Sequence, residues 1–485
     1  MKISLNSILI ILVLIVLIFF FLADKSGTYL NGSEVQVYLL IAVTLVSLFI
    51  NSRFNNEFIE ILNVFFVGFY ICRIPFIFSD GVISDVLLRE VDVRNIPWYL
   101  IVLAVQYLFL LLCILAINPR IPRKNISSFI SESIFKRILL FSSIVVAVNL
   151  VRTFFFFDIH GGTLSHIPAI LKTIFTENNV LMLIFLSSLM VEKEVFRKYK
   201  YAIGGIVLFA LFPSIHEGSK SGLLQAMLLV YLALLVVRGP LVLRLRGLLV
   251  MGAVGIGTFF LFFVGKVTRL FYVNDFAFAP QRFVFLFRKF FVEDMNTTDL
   301  LNAFSYRIGY LDFFIQKISN PVYEPYVNFT YYFKALVDKM TPGFDVFGVP
   351  FASRAIYSAY HGPSVNVLNS EVITVFGEGY LLFGFFSFVL YLVILLLIKM
   401  AFLYFKASSG AAFGLFYMYI IFSFYWWLTG SGLDMLIALA MYQGIFVFFI
   451  ISLICFWSRK EKINILTYFP FLSKVIMGIQ RRDNP

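Results

Sequence analysis

The side chains best suited to chemistry lie at the edges of long apolar runs and in one long polar stretch. Phe212-Pro213-Ser-Ile-His216-Glu-Gly218-Ser-Lys220-Ser-Gly222 closes one apolar run and opens the next with hardly any hydrophilic spacer. Pro213 and Gly218 are expected to break the flanking helices, leaving Ser219, Lys220 and Ser221 at a helix N-terminus. Exposed N–H groups, a partial positive charge and the lysine together suit a phosphate. An ordinary tight hairpin with Lys220 at the membrane interface is the plainer reading. Arg73 and Arg152 fall inside apolar runs, and Asn149 lies one turn before Arg152. Such arginines either snorkel to the headgroups or face a cavity and hold an anion.

Residues 265–373 add more candidates. Arg282-Phe-Val-Phe-Leu-Phe-Arg288-Lys289-Phe-Phe threads cations among phenylalanines, a pattern that can lie along a membrane surface. Asn296-Thr-Thr-Asp299 reads as a helix start, with Leu300, Leu301, Phe304, Ile308, Leu311, Ile315 and Ile318 at helical spacing and Arg307 and Asp312 on the more polar side. Tyr323, Tyr326, Tyr331 and Tyr332 offer faces for sugars or an interfacial aromatic belt. Ser353-Arg354 and the turn-rich His361-Gly-Pro-Ser-Val-Asn-Val-Leu-Asn-Ser-Glu371 precede a helix that opens with Glu378-Gly-Tyr380-Leu-Leu-Phe-Gly384. His160 and His166, around Gly161-Gly162, have no adjacent carboxylate or cysteine set to complete a metal site, so no metal is expected.

The elements that must position these groups are membrane helices. The 485 residues are 61% hydrophobic and 14% charged, with a mean hydropathy of +0.92, beyond the range of a soluble domain. Apolar runs at about 5–22, 35–50, 58–78, 98–117, 138–157, 178–191, 201–213, 221–237, 248–264, 374–398, 411–428 and 433–457 are long and lack a dyad repeat. They are therefore helices, which satisfy their own backbone groups in lipid. Every second connection is basic, from Arg53 through Arg120–Arg137, Lys193–Lys200, Arg238–Arg246 and Lys399–Lys406 to Arg459–Lys462. That asymmetry predicts both termini in the cytoplasm and 265–373 on the outer face.

The expected organisation is membrane helices 1–9 over 1–264, the long outer loop over 265–373, membrane helices 10–12 over 374–457 and a basic cytoplasmic tail over 458–485. The formal charge of +12 is explained by these juxtamembrane cations, not by nucleic-acid binding. Cys72, Cys113 and Cys455 lie in or beside apolar runs and read as packing residues. The first run has no small-x-small cleavage site and reads as an uncleaved helix.

Taken together, Gly218-Ser-Lys220-Ser-Gly222 near a hairpin turn, a long loop carrying Arg282, Arg288 and Arg307, and Glu378-Gly-Tyr380-Leu-Leu-Phe-Gly384 opening a late helix resemble the Wzy-type polymerases of bacterial O-antigen and capsule repeat units. The resemblance extends to helix number and loop position, and so covers nearly the whole chain. Lys220 stands where arginine is commoner, and lysine cannot grip phosphate bidentately.

The resemblance implies an all-α polytopic protein of the bacterial inner membrane, with about twelve transmembrane helices, a long, partly helical outer loop and a GT-C-like architecture. It implies transfer of a growing glycan from an undecaprenyl pyrophosphate carrier to a second lipid-linked repeat unit, with a chain-length regulator protein among the partners. Arg73, Arg152, Lys220, Arg282, Arg288, Arg307 and Arg354 would meet the pyrophosphate or glycan, with Tyr380 beside them, and His361 or Glu378 would serve as base. The sugar arrives already activated, so no cofactor is expected, in keeping with the lack of a P-loop or dinucleotide fingerprint. O-antigen ligases share this plan. A metal-dependent lipid-phosphate-sugar glycosyltransferase would need an acidic pair, for which Glu90-Val-Asp92 has the spacing. A lipid-linked oligosaccharide flippase would need cations deeper in the bundle.

Overall fold

A computed structural model describes residues 2–24, 33–75, 93–119, 130–156, 177–216, 220–239, 242–244, 288, 310–340, 346–361, 374–405, 410–429, 432–434 and 436–437. The regular elements among the described residues are helices and one short antiparallel pair, β1 (Lys2–Ser4) with β2 (Val242–Arg244). Apolar runs build α1 (Leu5–Asp24), α2 (Glu34–Phe54), α3 (Glu57–Phe69), α4 (Ile96–Ile117), α5 (Glu132–Phe156), α6 (Glu177–Met190), α7 (Lys193–His216) and α8 (Lys220–Arg238). Within the long loop lie α9 (Tyr310–Ser319), α10 (Phe329–Met340) and α11 (Ala352–His361). The chain then forms α12 (Val375–Phe383), α13 (Ser387–Phe405) and α14 (Gly410–Leu428).

Among the described residues, four helical stretches are long and apolar enough to cross a membrane: Glu34–Phe54, Ile96–Ile117, Glu132–Val151 and Val375–Leu403. Leu5–Phe21, Asn178–Met190, Ala226–Arg238 and Phe416–Leu428 are apolar but shorter. The expected run at 248–264, and that at 433–457 apart from 433–434 and 436–437, lie outside the described residues.

Asparagines end two of the long helices. Asn55 and Asn118 take φ of 49° and 45°, and their N–H groups close the final turns onto Asn51 and Ile114. Asparagine tolerates this left-handed conformation better than the branched residues around it. Asn56 then caps α3 by accepting from the Phe58 N–H at 2.9 Å, and its amide reaches the Asn118 side chain at 3.3 Å.

These contacts order the ends of the bundle. Asn6 at the start of α1 donates to the Leu48 carbonyl near the end of α2, at 2.7 Å, and Lys399 of α13 donates to the Ile117 carbonyl at 2.6 Å. Ile130 bridges Val191, and Lys198 meets Glu132 at 2.9 Å. With the pairing of β1 and β2, the segments beside the basic connections thus meet one another, as their alternation in sequence requires.

The other end carries the long-loop helices. Rings from α3, α4, α9 and α12 interlock there: Phe66 lies 4.0 Å from Tyr107 and 5.7 Å from Phe376 between centroids, and Phe69 lies 4.7 Å from Tyr310. Each such pair adds about 0.5–1.5 kcal/mol beyond its area. In a membrane, where lipid is as apolar as leucine, packing and hydrogen bonds of this kind hold helices together.

Two local expectations change, and a third is described only in part. The 58–78 run is interrupted after Phe69 by a 3-10 turn over Ile71–Arg73, from which Arg73 reaches its partner. Pro213 does not end its helix, since α7 continues to His216; the proline removes one N–H bond and the helix stops within the following turn. Of the helix expected from Asn296 onward, α9 is the described part.

Candidate functional site

The junction between the long-loop helices and the bundle gathers buried polar groups. Arg73, at the end of α3's 3-10 turn, makes a fork-like ion pair with Asp312 of α9: Nη2 lies 2.6 Å from Oδ2, and Nε lies 3.2 Å from each oxygen. Both residues are buried. Burial pushes the Asp312 carboxyl above its ordinary range, and the guanidinium opposes that shift. Arg73 therefore does not snorkel, and Asp312 leaves the polar helix side expected of it. The physical reason is mutual: each charge is tolerable in the interior only with the other. Five residues further along α9, Lys317 is also buried, with its ammonium 4.1 Å from the centre of the Tyr323 ring and 3.5 Å from Gln316 Oε1.

Glu378 is the hub of the junction. Thr374 caps α12 by accepting from Gly377 N–H at 3.1 Å, which starts the helix where Glu378 faces inward. Its fully buried carboxylate accepts from the Tyr332 hydroxyl at 2.6 Å, the Leu433 N–H at 2.7 Å and the Trp427 indole N–H at 3.0 Å. These donors come from α10, from the segment after α14 and from α14 itself. Burial, with the Glu378 carboxylate alongside, raises the Tyr332 phenol well above its usual range, which keeps it a donor.

The residues beside Glu378 explain the spelling of its motif. A Cβ on Gly379 would stand 2.4 Å from the Tyr391 hydroxyl, so only glycine admits that ring. Tyr391 in turn donates to Gln106 Oε1 at 2.8 Å, and Gln106 donates to the Gly384 carbonyl at 3.1 Å. Gly384, at φ 58° and ψ −128°, makes the break between α12 and α13 that L side chains resist.

Asp434 completes the junction. It accepts from the Ala352 N–H at 2.9 Å and so holds the first turn of α11, an acidic group at a helix N-terminus. Gly432 permits this at φ 83°; a Cβ there would meet Asp434 Oδ1 at 2.8 Å and Glu378 Oε1 at 3.9 Å. The two carboxylates thus lie close together. Asp338 of α10 gathers the Phe347 and Val349 N–H groups at 2.7 and 2.8 Å, and the Tyr331 hydroxyl donates to the Pro350 carbonyl at 3.0 Å. In α11, Arg354 is half-buried, and burial lowers its guanidinium from the ordinary value. His361 is the last residue of α11, seven positions after Arg354 and so two turns along the same helix.

The structure places Glu378 at the junction and Arg354 and His361 on α11, whose first turn Asp434 holds there, and it assigns Arg73 to Asp312. Tyr380 is half-buried with Phe385 edge-on at 5.8 Å. Arg288 is exposed. Arg152 lies in α5 and Lys220 opens α8 as expected, but their side chains, that of His361, and Arg282, Arg307 and Glu90-Val-Asp92 lie outside the described residues. Tyr323 and Tyr332 are buried and offer no face to a sugar, because their rings and hydroxyls serve Lys317 and Glu378; Tyr326 and Tyr331 are half-buried.

Sequence reasoning missed Lys317, Trp427 and Asp434. Asp434 had a signal, since Gly430-Ser-Gly432-Leu-Asp434 places a turn and an acid at the edge of an apolar run. Chemically, Glu378 with three donors is an anchor for other groups, and Arg354 is a partly desolvated cation of the kind that binds phosphate. The chain matches no family model, no curated protein and no solved structure.

Proposed function

We propose that this protein polymerises undecaprenyl-pyrophosphate-linked oligosaccharide repeat units on the outer face of the bacterial inner membrane. The acceptor sugar hydroxyl attacks the donor's anomeric carbon. The bond from that carbon to the pyrophosphate oxygen breaks, undecaprenyl pyrophosphate leaves, and a base takes the hydroxyl proton. In this reading the chain has about twelve membrane helices in a GT-C-like arrangement, with cytoplasmic termini.

The observation that carries the reading is that Glu378 of the late-helix motif fastens the long-loop helix α10 onto the bundle, while Gly379 and Gly384 fit the same helix against α13 and α4. A loop so held forms a fixed roof beside the membrane, where a lipid pyrophosphate can meet preorganised cations. Glu378 is then a positioning residue, since its oxygens already serve three donors, and His361 is the base candidate that remains. Arg354, with Arg152, Lys220, Arg282, Arg288 and Arg307, forms the cation set. Arg73 leaves that set, because Asp312 holds it.

Reconstitution in vesicles with lipid-linked repeat units tests the reading. A ladder of glycans on the carrier supports it. Movement of the lipid-linked units across the bilayer with no ladder would instead make the protein a flippase, and transfer only to a lipid A core would make it a ligase.

A further inference from the structure

The geometry points to α10 as an interfacial helix, seated in the bilayer leaflet on the long-loop side with Phe329 and Phe333 among lipid chains. This rests on reading the chain as membrane-embedded, not on the reaction assigned to it. One face of α10 is committed to protein: Tyr332, Ala335 and Asp338 are buried, and Tyr332 reaches Glu378. The opposite face carries Phe329 at 51% and Phe333 at 63% exposure, one helical turn apart. The chain beyond α10 folds back onto Asp338, where Val346 and Phe347 are also exposed. Water would be a poor neighbour for Phe329 and Phe333 side by side on one helix face.

What covers them follows from continuity with a surface that already faces lipid. Phe329 stands 5.4 Å from Phe383, the last residue of α12. Immediately beyond it, Phe385 and Phe386 are exposed, and exposed Phe388, Val389, Val393, Leu396, Leu397 and Met400 continue the line along α13, within the apolar span Val375–Leu403. Trp98, edge-on to Phe385 at 5.8 Å, marks the headgroup level, where tryptophan concentrates. The residues before the break are different: Val375 to Gly379 are buried in protein. Thus α10 occupies the space beside the upper part of this span, and lipid contact on α13 begins where α10 ends its cover. Lys334 carries its ammonium 5.9 Å from the centre of the Phe347 ring, the pose of a snorkelling cation at the edge of an apolar patch. A helix with one polar, protein-bound face and one aromatic face lies in the interface plane.

Nitroxide labels in a background lacking Cys72, Cys113 and Cys455 test this in purified protein in phospholipid nanodiscs. Collisions with oxygen, which prefers lipid, are compared with collisions with a water-soluble nickel chelate. Leu397→Cys on α13 supplies the lipid reference and Ser358→Cys on the exposed side of α11 the aqueous one. Phe333→Cys should resemble Leu397→Cys, with an oxygen-to-nickel ratio several-fold above that of Ser358→Cys. Phe329→Cys provides a second site should the first variant misfold. A ratio at both sites equal to that of Ser358→Cys would place the patch in water and overturn the proposal. Low collision with both reagents, accompanied by spin–spin broadening, would place a second copy there and overturn it equally. No glycan is used, so failure here leaves the polymerase reading to its own test.

Discussion

Arg73 illustrates how a residue can be legible in type and illegible in role. Its position inside an apolar run announced a special purpose, yet only the fold supplies Asp312, 239 positions later in the chain. No local pattern links two residues at that separation. Breaking a buried pair by removing one member leaves the other charge unsolvated, at a cost of about 3–5 kcal/mol. Arg73→Leu and Asp312→Leu should each lower the thermal unfolding temperature of the purified protein markedly. The double variant should recover much of the loss, and simple additivity of the two single losses would show that the pair is not coupled.

Gly379 makes the same point from the opposite direction. Its motif was visible in the sequence, but the reason for glycine is a tyrosine ring from the next helix. Gly379→Ala forces Tyr391 to move, for about 1–3 kcal/mol by the usual cost of overpacking. Tyr391→Phe removes the nearest atom and should relieve part of that loss in the double variant. A Gly379→Ala protein as stable as the parent would remove the close approach from the account.

At the scale of elements, the apolar runs that fall on described residues are helical, and four of those helical stretches are long and apolar enough to cross a membrane. The loop helices were harder to read. The spacing of Leu311, Ile315 and Ile318 foretold α9, whereas α10 and α11 combine tyrosines, phenylalanines and charges whose buried side is set by Glu378 and Asp434, not by an apolar stripe. Asp434 itself sits in a short segment that hydropathy assigns to a membrane helix.

Because α10 hangs on the Tyr332 hydroxyl and α11 on the Asp434 carboxylate, cutting either tie should loosen the loop before it melts the bundle. Tyr332→Phe leaves the buried Glu378 carboxylate short of one donor, worth about 1–3 kcal/mol. Limited proteolysis in native membranes should then cleave within 310–361 faster than in the parent, with the bundle helices still protected. Unchanged loop protection would mean that Glu378 is not what fastens it. A true pyrophosphate ligand behaves differently. Arg354→Gln should slow polymer formation by roughly 30- to 1000-fold, equivalent to about 2–4 kcal/mol of barrier, without faster proteolysis. Normal polymer from that variant would return Arg354 to a packing role.

For the whole molecule, the alternation of basic connections predicts which ends of the helices share a side, and the contacts among Asn6, Leu48, Asn56, Asn118 and Lys399 unite those ends. Sidedness can be checked by labelling intact cells with an impermeant thiol reagent after the native cysteines are replaced. Ser358→Cys in α11 should react, and Glu194→Cys in α7 should react only after the membrane is opened. The reverse pattern would invert the topology and put the junction on the face where no pyrophosphate-linked acceptor waits.

The proposed polymerisation would leave a count that no transporter and no scaffold would produce. Each repeat unit added to a lipid-linked chain frees one undecaprenyl pyrophosphate, so the decisive measurement pairs the two products in a reconstituted reaction. Purified protein in vesicles, supplied with lipid-linked repeat units alone, should give a glycan ladder together with free undecaprenyl pyrophosphate in equal number to the new glycosidic bonds. Folded, monodisperse protein that leaves every carrier loaded and every glycan one repeat long would contradict the account.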